Sequence, residues 1–293
     1  MNTYLSAINR LKYGTTDFFN VIEFQTFTVC NRKCSFCPIA ATPLPPKFMS
    51  MKLIEKLVME LKEINYSGWF SPHLYGEPLL DKRLGEIFKL ARLHIPRAYN
   101  VIYSNGDLLT YRKFKELRAA GCDLFIVSQY DNEMHPTIKE LYKHMSPLEK
   151  THVSYRIIND DTPLSTRAGL VEPTKLATDF DCPVTTVFID VHGKVVLCSN
   201  DYNSTSVLGD FNTETLVDIW NSDRYVQIRK ELKKGIYSET LCKNCKGEFA
   251  HKSSPTSPAI PPTQSSSSLS PTMGISADTA EIAPIVTTHS LVE

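Results

Sequence analysis

The sequence lacks an excess of either charge. Its 293 residues include 32 Lys and Arg and 32 Asp and Glu, so the formal net charge is zero. Binding to nucleic acid without sequence preference depends on a basic surface that neutralises phosphates. The composition therefore argues against a nucleic-acid-binding protein, and we expect no nucleic acid among its partners.

The sequence also lacks a long apolar run. It contains no stretch of about 18 consecutive apolar residues, the length that a membrane-spanning helix needs. The first six residues are not a basic segment followed by an apolar one, so we expect no secretory signal. These absences predict a cytoplasmic protein without a membrane partner. In that reducing compartment, clustered thiols are more often metal ligands than disulfides.

One segment lacks aromatic residues altogether. Residues 251–293 are rich in Ser, Thr and Pro and contain no Phe, Tyr or Trp. Such a composition buries too little apolar surface to offset the entropy lost on ordering. We predict a disordered tail over 251–293. The rest of the chain has the apolar and charged content of a globular protein and is long enough for one large or two modest domains.

Short apolar runs alternate with amphipathic stretches over 21–160. The runs at 21–29, 69–75, 99–104, 124–128 and 152–158 predict strands, and the periodicity of 51–64, 84–93, 111–120 and 137–144 predicts helices. Ser50 stands where a helix N-cap is expected, and Gly121 where a helix ends. Strands that alternate with helices indicate a parallel sheet. The fold class is therefore α/β, and we predict a partial TIM-like barrel of five to six strands.

The pattern changes after a connector at 161–181. Runs at 184–191 and 194–198 flank His192-Gly193, which predicts an antiparallel hairpin. A helix is expected over 216–232. We expect residues 182–250 to form a second, smaller domain after the 21–160 core and residues 1–20 to be an N-terminal extension.

Seven of the eight cysteines fall into groups. Cys122 stands alone next to Gly121, and we interpret it as a small buried apolar residue. The grouped cysteines are Cys30, Cys34 and Cys37; Cys182 and Cys198; and Cys242 and Cys245.

The first group places three thiolates within eight residues, directly after a predicted strand. Three thiolates can bind three irons of a four-iron cluster and leave the fourth iron without a protein ligand. A zinc site with a distant fourth ligand is the alternative. Active sites of such barrels collect at the carboxyl ends of strands, which favours the catalytic cluster.

The other two groups together supply four thiolates. Cys182 and Cys198 flank the predicted hairpin, and Cys242 and Cys245 form a C-x-x-C pair. This arrangement is found in zinc ribbons, and a four-iron cluster ligated only by protein would use the same ligands. The spacing alone leaves both possibilities open.

The first cysteine group, with aromatic Phe36 before Cys37, resembles the signature of the radical S-adenosylmethionine (radical SAM) superfamily. In that family the open iron chelates S-adenosylmethionine, which is then cleaved reductively to a 5′-deoxyadenosyl radical. Further segments resemble the family's cofactor site, although Tyr75 stands where the usual motif has a first glycine. The resemblance implies that cofactor binding involves the following residues: Gly76, Glu77, Pro78, Ser104, Asn105, Ser128 and Arg156.

The second set of cysteines is similar to the family's auxiliary-cluster extension, called SPASM in its full form and twitch in its truncated form. Residues 208–211 and 218–222 resemble stretches of the same extension. Full versions carry seven cysteines and two auxiliary clusters. The four cysteines here imply one auxiliary [4Fe-4S] cluster beside the catalytic [4Fe-4S] cluster that binds S-adenosylmethionine.

A fully ligated cluster has no open iron for a substrate, so the resemblance implies an electron-transfer role for it. We therefore expect a radical SAM oxidoreductase that takes a hydrogen atom from a sugar-like or aminocyclitol-like small molecule and passes an electron to the auxiliary cluster. The resemblance also implies an electron donor such as flavodoxin or ferredoxin. A peptide-modifying maturase with a peptide substrate is one alternative, and a non-catalytic zinc or iron–sulfur protein is another. The sequence assigns no proton-accepting base.

Overall fold

The computed structural model describes residues 17–177 and 184–245, together with Ala7, Arg10, Leu11, Thr15 and Cys182. The predicted tail at 251–293 lies outside the described residues, as do most of the predicted N-terminal extension and part of the connector. In the described part of the chain, no helix is long and apolar enough to cross a membrane.

Eight strands form one sheet in the order β5-β4-β3-β2-β1-β6-β7-β8. Strands β1 to β6 are parallel to one another, and β7 and β8 extend the sheet in the antiparallel sense. The strands are β1 (Val21–Phe24), β2 (Trp69–Ser71), β3 (Tyr99–Ser104), β4 (Leu124–Gln129), β5 (Val153–Ile157), β6 (Thr186–Ile189), β7 (Lys194–Val196) and β8 (Val207–Asp210). The α/β class and the partial barrel are confirmed.

The described residues also form helices, which lie between the strands of the parallel sheet and after β8. They are α1 (Pro38–Ala41), α2 (Met51–Glu63), α3 (Leu84–His94), α4 (Tyr111–Ala120), α5 (Pro136–His144), α6 (Pro147–Lys150), α7 (Leu216–Trp220), α8 (Asp223–Leu232) and α9 (Thr240–Cys245). A short 3₁₀ helix follows β2 at Pro78–Leu80. The Ser50 hydroxyl accepts a hydrogen bond from the Leu53 amide at 3.2 Å, and Gly121 ends α4 in the left-handed conformation. Cys122 is fully buried, so the interpretation of these three residues is confirmed.

The position of β6 differs from the expectation. We expected this segment only as one arm of an antiparallel hairpin, but it also pairs in parallel with β1, with Ile22 opposite Val187. All four residues of β6 are buried, as is typical of a central parallel strand covered on both faces. The core sheet therefore has six parallel strands, and the hairpin grows out of its sixth.

The single long helix expected over 216–232 is wrong. The chain forms α7 and α8 instead, with a break at Asn221 and Ser222. Ser222 has non-helical backbone angles at the N-cap of α8. The Asn221 side chain donates to the Val217 carbonyl at 2.9 Å and so competes for a backbone acceptor of α7. The Ser222 side chain makes no capping hydrogen bond. β8 is a further strand that the apolar pattern did not indicate.

The parallel strands have two different faces, since successive side chains alternate. Ile22, Phe24 and Phe70 belong to the main hydrophobic core together with the apolar side of α2. The intervening residues Glu23 and Ser71, which are opposite each other in the β1–β2 register, therefore face the interior of the partial barrel.

A buried cation joins α8 to the segment before β1. The Arg229 side chain is 1% exposed and lies 3.7 Å from the Trp220 ring centroid. Its Nε donates to Asp17 at 3.1 Å, and Lys233 Nζ lies 2.5 Å from the same carboxylate. Burial raises the pKa of Asp17, but the hydrogen bond and charge of Lys233 and the charge of Arg229 outweigh it, and the pKa lies below its ordinary value of 3.8.

We predict that Asp17→Asn destabilises the fold by about 3 kcal/mol, because it leaves the buried guanidinium without a counterion. The pair contributes stability above the ordinary pKa of the carboxyl and loses it as the pH falls through the lower folded pKa. Urea unfolding at neutral and acidic pH measures this, with Glu55→Gln on the exposed side of α2 as the control. Equal stability of Asp17→Asn and wild type at pH 7 would contradict the prediction.

Candidate active site with two cysteine groups

The first cysteine group lies on the loop between β1 and α1. The Cys37 amide donates to the Cys34 carbonyl at 3.0 Å, and Cys37 is the N-cap residue of α1. Burial raises the pKa of each thiol, and for Cys34 the neighbouring thiolates of Cys37 and Cys30 raise it further, to about 11. The loop thus brings the three predicted ligands together. Three thiolates at such a site need a positive centre to hold them ionised.

Arg32 fixes this loop against the ends of β3 and β4. Its guanidinium donates to Asp107 at 2.6 and 2.7 Å and to Asp131 at 2.7 and 3.0 Å. The Asn31 side chain also donates to Asp107, at 2.9 Å. Bidentate guanidinium–carboxylate pairs have a defined geometry. Arg32 was not among the predicted site residues, and its place inside the cysteine spacing was the only signal for it.

We predict that Arg32→Ala loosens the loop and lowers the iron retained at the first group to less than half, while the chain stays folded. Lys33→Ala is the matched control, because Lys33 is exposed on the same loop. Iron content after anaerobic reconstitution and desalting measures the effect. Equal iron in the two variants would show that the Arg32 contacts do not hold the loop.

Five of the predicted cofactor residues form one cradle beside this loop. Gly76 has φ of 88°, and a Cβ there would lie 2.4 Å from the Phe27 carbonyl oxygen, so the position requires glycine. Pro78 starts the 3₁₀ helix that follows Glu77. The Glu77 carboxylate is buried and accepts from Ser104 Oγ at 2.8 Å, from the Asn105 amide at 3.0 Å and from the Leu79 amide at 3.0 Å.

Burial raises the pKa of Glu77 to about 7 against the effect of these donors. A buried carboxyl of this kind is suited to a cationic ligand group such as an ammonium. The Asn105 side chain extends the cradle to the cysteine loop, since its Nδ2 donates to Asn31 Oδ1 at 2.9 Å and lies 3.9 Å from Cys30 Sγ.

The other two predicted cofactor residues lie on β4 and β5. Ser128 and Arg156 are opposite each other in the strand register, and Arg156 Nε donates to Ser128 Oγ at 3.2 Å. Arg156 also lies over the Tyr103 ring, 5.4 Å from its centroid. The structure therefore brings Ser128 and Arg156 together on the interior face. Among the hydrogen bonds of the described residues, none joins this pair to the Glu77 cradle.

A set of polar groups lies in the interior, which we call the interior polar cluster, and sequence reasoning missed all of its members except Arg156. It comprises Glu23, Ser71, His73, Tyr103, Arg156 and Arg167. Burial raises the pKa of Glu23 to about 7 against the charges of Arg156 and Arg167. Burial and the same two cations lower the pKa of His73 to about 3, so its imidazole is neutral at physiological pH.

Two atoms of this cluster are buried without a hydrogen-bond partner, Ser71 Oγ and His73 Nδ1. The His73 ring stacks on Tyr103 at 5.0 Å between centroids. Unsatisfied buried polar atoms are rare in native proteins and call for an explanation such as a ligand. The sequence contained a usable signal for Glu23, because it is a carboxylate within an apolar strand. Arg167 carried none, since it lies in the predicted connector, where Arg167 and Ala168 have φ of 50° and 56°.

The second cysteine group comprises Cys182 before β6, Cys198 after β7, and Cys242 and Cys245 on α9. Burial raises the pKa of both Cys198 and Cys242 to about 12. The charges of Cys242 and Cys245 add to the effect at Cys198, and those of Cys182 and Cys245 add to it at Cys242. All four predicted ligands are therefore neighbours.

Both groups supply the thiol donors that an iron–sulfur cluster takes. A four-iron cluster takes each thiolate on a different iron. The three thiols of the first group therefore leave one iron of such a cluster without a protein ligand, and the four of the second group ligate all of its irons.

One hydrophobic cluster contacts both cysteine groups. It contains Tyr75, Phe188 and Tyr202, and it packs against Cys37 on one side and Cys198 on the other. Tyr75, in the place of the expected glycine, donates its hydroxyl to the Ser199 carbonyl and meets Tyr202 edge to face at 4.7 Å. The two sets of thiols are thus held by a common buried core.

The fold and these two thiol groups define an iron–sulfur enzyme built on a partial α/β barrel. Residues 24–143 match the family model of the radical SAM superfamily, and residues 181–246 match that of the SPASM iron–sulfur cluster-binding domain. The chain belongs to the radical SAM superfamily. Its cofactors are accordingly a radical SAM [4Fe-4S] cluster with S-adenosylmethionine and an auxiliary iron–sulfur cluster.

The chain is 33% identical over 233 residues to the S-adenosyl-L-methionine-dependent 2-deoxy-scyllo-inosamine dehydrogenase of Niallia circulans, which covers 78% of this chain and 92% of the relative. The crystal structure of BtrN in complex with AdoMet and 2-DOIA has a TM-score of 0.72 and 32% identity, covering 78% of this chain and 93% of that one. The structure of anSMEcpe with bound AdoMet has a TM-score of 0.51 and 14% identity over 78% of this chain and 84% of that one, which shows a common fold.

Proposed function

We propose that this protein is a radical SAM dehydrogenase that oxidises one secondary alcohol of a small polyhydroxylated substrate, of the aminocyclitol class, to a ketone. The observation that carries the proposal is the interior polar cluster, which provides hydrogen-bonding and charged groups inside the barrel. The similarity to a dehydrogenase of 2-deoxy-scyllo-inosamine supports the same substrate class.

We assign the catalytic cluster to Cys30, Cys34 and Cys37 and the auxiliary cluster to Cys182, Cys198, Cys242 and Cys245. The cradle of Gly76, Glu77, Pro78, Ser104 and Asn105 binds the methionine part of the cofactor, with the Glu77 carboxylate accepting from its ammonium group. Arg156, held by Ser128, pairs with the cofactor carboxylate. Mutual proximity of the thiols and the donors around Glu77 support these assignments.

The interior polar cluster suits a ligand with several hydroxyl groups. Ser71 Oγ and His73 Nδ1 supply hydrogen-bonding positions that the described residues leave unused. The Tyr103 ring, against which His73 stacks, gives the cluster an apolar wall. Glu23 is the carboxylate of the cluster and binds a hydroxyl or ammonium of the substrate, while Arg167 donates to a substrate oxygen.

When bound, the cofactor and its cluster supply a radical that removes a hydrogen atom from the substrate carbon. The hydroxyl on that carbon must then lose a proton, and the substrate must lose one electron, to give the ketone. A Glu23 carboxylate oxygen accepts the proton, for which a pKa raised to about 7 is well suited. The auxiliary cysteines hold the acceptor of the electron close to the barrel interior.

We also propose reduction by a flavodoxin or ferredoxin and a cytoplasmic location. The grouping of seven of the eight cysteines supports a reducing compartment, where clustered thiols serve as metal ligands. The zero net charge supports the absence of nucleic acid from its partners.

Paired cysteine variants test the two-cluster assignment. Cys34→Ala should abolish cleavage of S-adenosylmethionine, because two thiolates do not retain the catalytic cluster. Cys198→Ala should keep about half of the iron and some cleavage but lose ketone formation from 2-deoxy-scyllo-inosamine, because the electron acceptor is missing. Iron analysis and chromatography of 5′-deoxyadenosine and ketone measure both.

The buried Cys122, which no assignment uses, provides the matched control as Cys122→Ala, expected to retain its iron. Full 5′-deoxyadenosine formation by Cys34→Ala would remove the catalytic assignment. Full iron and full ketone in Cys198→Ala would remove the auxiliary assignment.

A second test addresses the substrate pocket. Glu23→Gln should lower ketone formation at least 100-fold, in the range of a lost acid–base group of about 10²–10⁴, while the reductive cleavage measured without substrate stays near the wild-type rate. Glu172→Gln, an exposed carboxylate in the connector, is the control. Undiminished ketone formation in Glu23→Gln would exclude Glu23 as the proton acceptor.

A further inference from the structure

We infer that Asn200 is a positioning residue that sets the reduction potential of the auxiliary cluster. The inference rests on the proposed assignment of Cys198 and Cys245 as ligands of that cluster. Asn200 was not among the predicted site residues, since it lies in the loop after β7 without a motif of its own.

Asn200 contacts two thiols of the second group through different atoms. Its backbone amide donates to Cys198 Sγ at 3.4 Å, and its side-chain Nδ2 donates to Cys245 Sγ at 3.2 Å. Cys198 follows β7, whereas Cys245 belongs to α9. A single asparagine therefore joins the two parts of the chain that supply the ligands.

The other end of the same amide faces the interior polar cluster. Asn200 Oδ1 accepts from Arg167 at 3.1 Å and from the Ser165 hydroxyl at 3.1 Å. The Ser165 hydroxyl also accepts from the Arg167 amide at 3.4 Å. These contacts fix the rotation of the amide, so that its NH₂ group and not its oxygen points to Cys245.

The turn that presents Arg167 is in an uncommon conformation. Arg167 and Ala168 both have positive φ, and Gly169 follows with φ of 87°. Residues with side chains rarely adopt this region, and such strain persists where the surroundings hold it. The connector therefore does more than join two parts of the chain, since it holds an arginine between the interior polar cluster and Asn200.

The effect of Asn200 on the potential of the auxiliary cluster follows from the charge that reduction adds to the cluster. One-electron reduction adds a negative charge to an iron–sulfur cluster, and part of that charge resides on the ligand sulfurs. A hydrogen bond to a ligand sulfur stabilises the reduced form and raises the potential. Donation from Arg167 to Asn200 Oδ1 polarises the amide and strengthens its donation to Cys245.

The test is a redox titration of the reconstituted full-length protein, followed by electron paramagnetic resonance of each cluster. Asn200→Leu is similar in size but lacks the donor, and its auxiliary potential should shift to a more negative value while that of the catalytic cluster is unchanged. Asn203→Leu, at an exposed position of the same loop, is the matched control and should show no shift.

Where Asn200→Leu loses auxiliary iron, Asn200→Asp is measured instead. Asp has the size of Asn and keeps an oxygen that accepts from Arg167, but its second carboxylate oxygen replaces the NH₂ group that donates to Cys245. The auxiliary potential should therefore again be more negative. A wild-type auxiliary potential in the variant that retains the cluster would overturn the inference. If wild type itself lacked a second cluster, the ligand assignment under the proposed function would fail first, and the two failures are thus distinguishable.

Discussion

The parallel pairing of β1 with β6 is the constraint on which the candidate site depends. β1 is hydrogen-bonded to β2 on one side and to β6 on the other. The cysteine loop follows β1, and β6 leads through its hairpin to Cys198. Because β6 returns beside β1, residues far apart in the sequence, such as Cys37 and Cys198, pack against one hydrophobic cluster. Without that pairing, the two thiol groups would belong to separate units.

Much of the fold was accessible from local patterns. α2 has a capping serine and one apolar face, and its pattern predicted it to within a residue. α4 ends at Gly121 because the glycine adopts the left-handed conformation there. The break between α7 and α8 was missed, because the apolar period runs across Asn221 and Ser222 and does not show where the backbone leaves the helical conformation. The pairing of β6 was missed because strand order depends on distant contacts that periodicity does not contain.

The site residues also divide into those that local patterns predicted and those that they did not. Residues whose role depends on close spacing, such as Cys30, Cys34 and Cys37, or Glu77 in its motif, were predicted and lie together. Glu23 and Arg167 depend on which strands become neighbours and on which way a turn points. A carboxylate inside an apolar strand was a usable signal for Glu23. Nothing local marked Arg167, because its role depends on its charge near Glu23 and His73 and on its hydrogen bond to Asn200.

The late position of β6 along the chain also has a consequence for synthesis. As the chain leaves the ribosome, β1 to β5 and the first cysteine loop emerge well before β6, so the edge of β1 that pairs with β6 stays open until residues 186–189 have been made. Non-local parallel pairing of this kind forms slowly. The loop of Cys30 is therefore complete before Phe188 and Val196, which belong to the hydrophobic cluster that packs against it, and its thiols stay less covered during this interval.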